Sequence, residues 1–172
     1  MTYSFFATCP KAMEPLLADE LSLLGAEDIK LTQGGVYFNG DLKVGYSSCL
    51  WSRLANRVLL LLHTEAVDSV EELYDAVGKV VWTDHFDSDQ TFLVDYAGRM
   101  RGIDNTHFGA LKVKDAIVDQ FRSQGELRPN IAKQDPDVRI NVFVNKARVR
   151  ISLDLSGESL HKRGYRREGG MA

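Results

Sequence analysis

Two neighbouring runs near the C-terminal end of the chain repeat with a period of two. Val138, Ile140, Val142 and Val144 alternate with Arg139, Asn141 and Phe143. After a turn at Asn145-Lys146, Val149, Ile151, Leu153 and Leu155 alternate with Arg148, Arg150, Ser152 and Asp154. Successive side chains on a strand point to opposite faces, so each run is a strand with one apolar face. The short turn makes the pair an antiparallel hairpin, and its apolar face must be covered by another layer. The sequence can supply that layer. Its 172 residues are 44% hydrophobic and 26% charged, the composition of a folded domain rather than a disordered segment.

The preceding residues read as further strands and helices. Tyr3 to Thr8 is extended and aromatic-rich, and Pro10 opens a helix with Met13, Leu16, Leu17, Leu21 and Leu24 inward. Gly25 ends it. Ile29 to Leu31 and Val36 to Phe38 flank the turn Gln33-Gly34-Gly35. Asp41 caps a second helix with Leu42, Tyr46, Leu50 and Leu54 on its apolar face, and Val58 to Leu62 forms a strand. The order β-α-β-β-α-β is that of a ferredoxin-like fold. Next comes a helix over Val70 to Val81 with Asp68 as its N-cap. A strand over Phe92 to Tyr96 and a glycine-flanked basic loop over Gly98 to Gly102 follow. Asn105 or Thr106 then caps a helix over His107 to Ser123, and residues 125–136 form a polar loop.

Charge is unevenly spread. Residues 1–97 carry 6 Lys/Arg against 15 Asp/Glu, whereas residues 98–172 carry 15 against 9. A basic half beside an acidic one points to polyanion binding by the basic half. Catalytic signatures are missing: there is no P-loop, dinucleotide fingerprint or nucleophile elbow. Asp84, Asp87 and Asp89 lack the glycine and distal Glu of a calcium loop. Cys9 and Cys49 have no His or Cys at zinc-ligand spacing, and two reduced thiols fit the cytoplasm. No run approaches the roughly 20 apolar residues that cross a bilayer. The sequence alone therefore predicts a soluble, cytoplasmic chain with no metal, no cofactor and no catalytic residue of its own.

Three segments concentrate cations. Lys146, Arg148 and Arg150 lie along one strand edge, at a spacing that follows successive phosphates or simply faces solvent. Arg99 and Arg101 flank Met100 in the loop between two glycines, a phosphate contact or a connector. The densest is residues 159–167, where His161, Lys162, Arg163, Arg166 and Arg167 surround Tyr165. Cations there neutralise phosphates, and the Tyr165 ring either stacks on an unpaired base or packs inward as part of a closing strand.

Residues 155–166 read Leu-Ser-Gly-Glu-Ser-Leu-His-Lys-Arg-Gly-Tyr-Arg. This resembles the closing strand of the THUMP-containing RNA methyltransferases, with Lys162 where the family carries arginine. The resemblance extends to the opening strand with Pro10 and its acidic, leucine-rich helix. It also takes in Trp51-Ser52-Arg53-Leu54-Ala55-Asn56-Arg57 and the helix Leu111 to Ile117. Within that family the chain resembles the N-terminal part of the bacterial 23S ribosomal RNA guanine-N2 methyltransferases.

The resemblance implies an α+β chain: a ferredoxin-like domain over 1–66, then an α/β THUMP domain with a mixed sheet over 67–166. A signature-based boundary could start the second domain near 43. Residues 167–172 would begin a linker to a methyltransferase domain in cis that uses S-adenosylmethionine. Its Gly-rich loop and Asn/Asp-Pro-Pro-Tyr/Phe motif are not in these 172 residues, and Asp135-Pro136 does not supply them. It further implies RNA contact, with 23S rRNA as partner, by His161, Lys162, Arg163 and Arg166. Lys146, Arg148 and Arg150 extend that track, and Lys112, Lys114, Arg99 and Arg101 are further candidates. Two other readings remain open at this point: a THUMP module of a tRNA-modifying enzyme, and a ferredoxin-like protein-interaction or small-ligand module docking through Glu71, Glu72 and Asp75.

Overall fold

A computed structural model of the chain describes residues 1–162. The order is β1 (Tyr3–Thr8), α1 (Glu14–Leu23), β2 (Glu27–Thr32), β3 (Gly35–Gly40), α2 (Leu42–Trp51), β4 (Arg57–Ala66), α3 (Val70–Gly78), β5 (Thr91–Ala97), α4 (Thr106–Ser123), β6 (Asn130–Ile131), β7 (Val138–Asn145) and β8 (Arg148–Asp154). Short 3-10 turns lie at Trp82–Asp84 and Leu160–Lys162. The chain divides into two compact units. The first holds Met1–Leu60 and the described residues from Leu155; the second holds Leu61–Asp154.

The first unit is β-α-β-β-α-β with strands in the order β2-β3-β1-β4. Its pairings, β1 with β3, β1 with β4 and β2 with β3, are all antiparallel. Phe5, Ala7, Val36, Phe38 and Val58 face the helices, where Leu17 and Leu21 of α1 meet them, all fully or nearly fully buried. Helix α2 departs from its expected face. Gly45 and Ser48 are its buried residues, while Leu42, Tyr46 and Leu50 point outward at 37, 56 and 64% exposure. Close approach explains this: a Cβ on Gly45 would lie 2.6 Å from the Phe5 ring. The helix rests on the sheet through its smallest residues, and the larger ones have no room inside. In α1, likewise, Leu17 and Leu21 are buried but Leu16 is 54% exposed.

In the second unit the order is β4-β8-β7-β5-β6. β5 runs parallel to β7 and to β6, and β7 is antiparallel to β8, so the sheet is mixed. The two-residue β6 lies inside the segment read from sequence as a loop. Phe92, Tyr96, Ile140, Val142, Val144, Val149 and Ile151 form the apolar face, packed on Leu73 and Val77 of α3 and Val113, Ile117 and Phe121 of α4. Ser69, not Asp68, caps α3: its hydroxyl accepts from Glu72 N at 3.1 Å, and Asp68 N donates to the Glu72 carboxylate at 2.7 Å. Asn105 caps α4 by accepting from His107 N at 2.8 Å.

Several carboxylates act as clamps. Glu20 on α1 accepts from the Ser52 hydroxyl at 2.8 Å and from Arg53 N at 3.2 Å. Burial pushes its carboxyl up, but the bonds from Ser52, Arg53 and Leu54 outweigh that and hold it below the usual range. Asp137 accepts from Thr91 N at 2.7 Å and Thr91 Oγ1 at 2.8 Å, joining the starts of β5 and β7, and is lowered by those bonds. A carboxylate whose pKa is depressed in the fold contributes stability above its unfolded value of about 4, and loses it as pH falls through the lower folded value. The urea midpoint is therefore expected to drop as pH is taken from 7 to 3. Glu20→Gln should be less stable at pH 7 and flatter below pH 5. A midpoint indifferent to pH over that range would contradict the clamp assignment.

Candidate nucleic-acid interface

Parallel pairing decides where the candidate cations meet. β5 and β7 run side by side, from Phe92↔Val138 to Ala97↔Phe143, with α4 as the crossover between them. Their C-terminal ends therefore share one end of the sheet, and β8 starts there. The Gly98–Gly102 loop leaves β5 at this end and the Lys146-Ala147 turn joins β7 to β8 at it. Gly98 lies so close to β7 that a Cβ on it would be 2.0 Å from Val144 O. Arg99 and Arg101 from the loop, and Lys146 and Arg148 from the hairpin, are thus brought together and are all exposed. Val67 N donates to Ala147 O at 2.9 Å, and the next residue, Asp68, faces Arg101 at 4.0 Å. That pair is largely solvated and ties Arg101 down weakly. The start of α4, with exposed His107, follows the same loop and adds the positive end of the helix dipole.

The hairpin turn carries strain. Lys146 and Ala147 have φ of 49° and 55°, the left-handed pair that a two-residue hairpin turn of this twist requires and that Asn-Gly adopts most readily. Ala147→Gly is expected to raise stability by about 0.5–1 kcal/mol in urea unfolding, since glycine takes positive φ without a Cβ penalty. A loss of stability would show that the turn is not strained.

The remaining candidates lie apart from this cluster. Arg150 pairs across the hairpin with Phe143, its guanidinium 5.1 Å from the ring centroid, and is half-buried. On the same sheet face Arg139 pairs with Asp95 at 3.0 Å and Ser152 is fully buried. The face beyond Arg148 is a packed polar layer, and the exposed row read from Lys146 to Arg150 stops at Arg148. Lys112 and Lys114 sit along α4, half-buried, with Lys112 Nζ 5.4 Å over the Phe108 ring and Lys114 3.2 Å from Asp115. Reading the sequence passed over Arg122 and Arg128, which share a cleft with these lysines. The spacing of Lys112, Asp115, Asp119 and Arg122 along one helix face was the available signal.

His161 belongs to the first unit. Residues 160–162, expected in a closing strand, form a 3-10 turn instead, held where Leu160 N donates to Asn56 O at 2.8 Å. Ser159 Oγ lies 2.8 Å from His161 Nδ1, and the histidine is exposed. Arg163, Tyr165 and Arg166 lie outside the described residues. Among the described residues no group of three His, Cys, Asp or Glu is placed to hold a metal ion, and no helix is long and apolar enough to cross a membrane.

The fold agrees with comparisons to known proteins. The THUMP domain profile matches residues 67–154, half of the chain. The chain belongs to the THUMP family. The profile of the RlmL ferredoxin-like domain matches residues 4–59 ahead of it, so the architecture is a ferredoxin-like domain followed by THUMP, an α+β chain with a mixed sheet in the second unit. Among curated proteins, the ribosomal RNA large subunit methyltransferase K/L of Cellvibrio japonicus is 53% identical over all 172 residues. The protein of the same name from Pseudomonas aeruginosa is 49% identical over 170 residues. The THUMP-bearing chain spans 23% of the length of each. Among solved structures, a candidate methylase from Clostridium difficile 630 is 30% identical with a TM-score of 0.86; the match covers 97% of this chain and 45% of that one.

Proposed function

We propose that this chain is the RNA-binding module of a ribosomal RNA methyltransferase. The observation that carries the reading is the convergence of Arg99, Arg101, Lys146 and Arg148 at one end of the THUMP sheet. Four exposed cations on a short loop, a tight turn and the first residue of β8 suit successive phosphates and demand little base readout. The names of the curated relatives support RNA as the partner and methyl transfer as the activity of the longer protein. In that protein the remaining chain would bind S-adenosylmethionine and modify guanine N2 of 23S rRNA in the cytoplasm, with this module positioning the substrate. Along the sequence the module divides into a ferredoxin-like domain over 1–66 and a THUMP domain over 67–166, with Leu155 to Lys162 of the latter grouped in the first compact unit. His161, Lys162, Arg163 and Arg166 supply further phosphate contacts, and Tyr165 lies among them.

A structured rRNA hairpin is expected to bind the chain with affinity of about micromolar at low salt, weakening steeply between 50 and 200 mM salt. Replacing Arg99, Arg101, Lys146 and Arg148 together by alanine should flatten the slope of log affinity against log salt by roughly 0.7–0.9 for each phosphate that is no longer neutralised. Fluorescence anisotropy at several salt concentrations measures both. Absence of binding by the unaltered chain at every salt concentration would sink the proposal, and an unchanged slope in the variant would remove the sheet end from it.

A further inference from the structure

The outer side of the second unit's helices is divided by charge. Helix α3 carries Glu71, Glu72 and Asp75 and no basic residue. Beside it, with Tyr74 of α3 in its wall, lies a cleft of about 450 Å³. Lys112, Lys114 and Arg122 of α4 line it with Arg128 of the following loop, and Tyr74, Asp115, Val118 and Asp119 complete it. The volume lies in the range of small-molecule sites.

The two carboxylates of the cleft are already engaged. Asp119 accepts from the Tyr74 hydroxyl at 2.8 Å and lies 3.8 Å from Arg122. Asp115 pairs with Lys114 at 3.2 Å. The hydrogen bond to Asp119, then burial and the neighbouring carboxylates, push the Tyr74 phenol up, so it stays protonated and keeps donating to Asp119. Among the described residues no ion pair engages Lys112 or Arg128. Lys112 is steadied instead by the Phe108 ring beneath its ammonium group. The cleft therefore holds four cations against two carboxylates that are occupied internally, and its two uncommitted cations reach it from different elements. Such an arrangement grips a compact anion between two arms, whereas an open row of cations follows an extended backbone.

We infer that this cleft is a phosphate-binding subsite that takes one nucleotide of the bound RNA, separate from the phosphate track at the sheet end. The inference rests on the RNA-binding reading above. Val118 supplies the apolar floor of the cleft, and the Lys112 and Arg128 arms supply the charge.

The test uses the 172-residue chain, a fluorescently labelled RNA hairpin with a single-stranded tail, and inorganic phosphate as competitor. Lys112→Ala/Arg128→Ala should weaken hairpin binding tenfold or more and flatten the salt slope by about 0.7–1.8, the equivalent of one to two phosphates. Asp115→Asn removes a negative charge and releases Lys114, so it should tighten binding two- to fivefold, a gain that misfolding cannot produce. Millimolar phosphate should displace the hairpin from the unaltered chain more effectively than from the double variant. Equal competition in both would show that the cleft holds no phosphate and would overturn the inference. Salt-dependent binding that neither the double variant nor Asp115→Asn alters would also overturn it while leaving the RNA-binding function intact. Failure of the unaltered chain to bind the hairpin at any salt concentration would remove both.

Discussion

Gly98→Ala is expected to destabilise the second unit by about 4 kcal/mol and to weaken RNA binding with it. Two physical costs combine at this position. The backbone has φ of 103°, outside the region that L residues occupy without strain, which costs about 1–2 kcal/mol. The added methyl group would also stand 2.0 Å from Val144 O, 2.9 Å from its carbonyl carbon and 3.1 Å from its nitrogen. Those are backbone atoms of a central strand, paired on both sides by β5 and β8, and they cannot rotate away as a side chain would. The Gly98 loop must then lift off β7, taking Arg99 from the end of the hairpin. Gly102 is the internal comparison. It has φ of 81°, and a Cβ there would meet only the Val70 Cγ2 methyl at 3.0 Å, so Gly102→Ala should cost only about 1–2 kcal/mol. Urea unfolding of the two variants checks the order. If Gly102→Ala proves as damaging as Gly98→Ala, the close approach to β7 is not what positions the loop.

The β7–β8 hairpin was legible because its alternation is strict and its turn short, so period and buried face followed from the residues themselves; the turn lies one residue later than read, at Lys146-Ala147 with Asn145 paired to Arg148, so the register did not. The β-α-β-β-α-β order was legible for the same reason. The inward face of α2 was not. Reading large apolar residues as buried assigns Leu42, Tyr46 and Leu50 to the core, whereas the helix touches the sheet through Gly45 and Ser48. Whether small or large residues face inward depends on the distance between layers, which Phe5 sets from another element. The candidate site divides along the same line. That Arg99, Arg101 and Lys146 are basic and lie in a loop or turn, with Arg148 on the strand that follows, was written locally. That they share one end depends on β5 pairing parallel to β7 over a separation of 46 residues, information carried by packing and not by any motif. Arg128 escaped notice because an isolated arginine in a polar loop has no pattern until Lys112 and Arg122 are placed opposite it.

Trp82→Ala is expected to cost about 3–5 kcal/mol, enough to unfold the second unit under mild conditions. Trp82 is fully buried, and both its nitrogens are committed. The indole N–H donates to Val77 O at 3.0 Å, and the backbone N–H donates to Gln120 Oε1 at 2.7 Å. The Gln120 amide in turn donates to Gly78 O at 2.9 Å and Val80 O at 2.8 Å. One side chain of α4 thus satisfies three backbone groups of the segment that leaves α3. Trp82 fills the space beneath that segment, against Phe86, whose ring also meets Phe92 and Phe121. Removing the indole opens a cavity among aromatic rings and leaves the Val77 carbonyl only its backbone bond from Val80 N at 3.3 Å. Gln120→Leu removes the bonds but keeps most of the volume, and should cost about 1–3 kcal/mol. The chain reports on itself here, because its other tryptophan, Trp51, is 66% exposed and lies in the first unit. In a Trp51→Phe background the emission comes from Trp82 alone and should be blue-shifted, moving red in a single urea transition. In that background Gln120→Leu should lower the midpoint of the Trp82 transition. With Trp82 replaced by Phe, which keeps most of the buried volume, Trp51 alone emits, and its transition should hardly respond to the same change. If both tryptophans shifted together, the two units would unfold as one, and the Gln120 brace would be stabilising the whole chain rather than the THUMP unit that contains it.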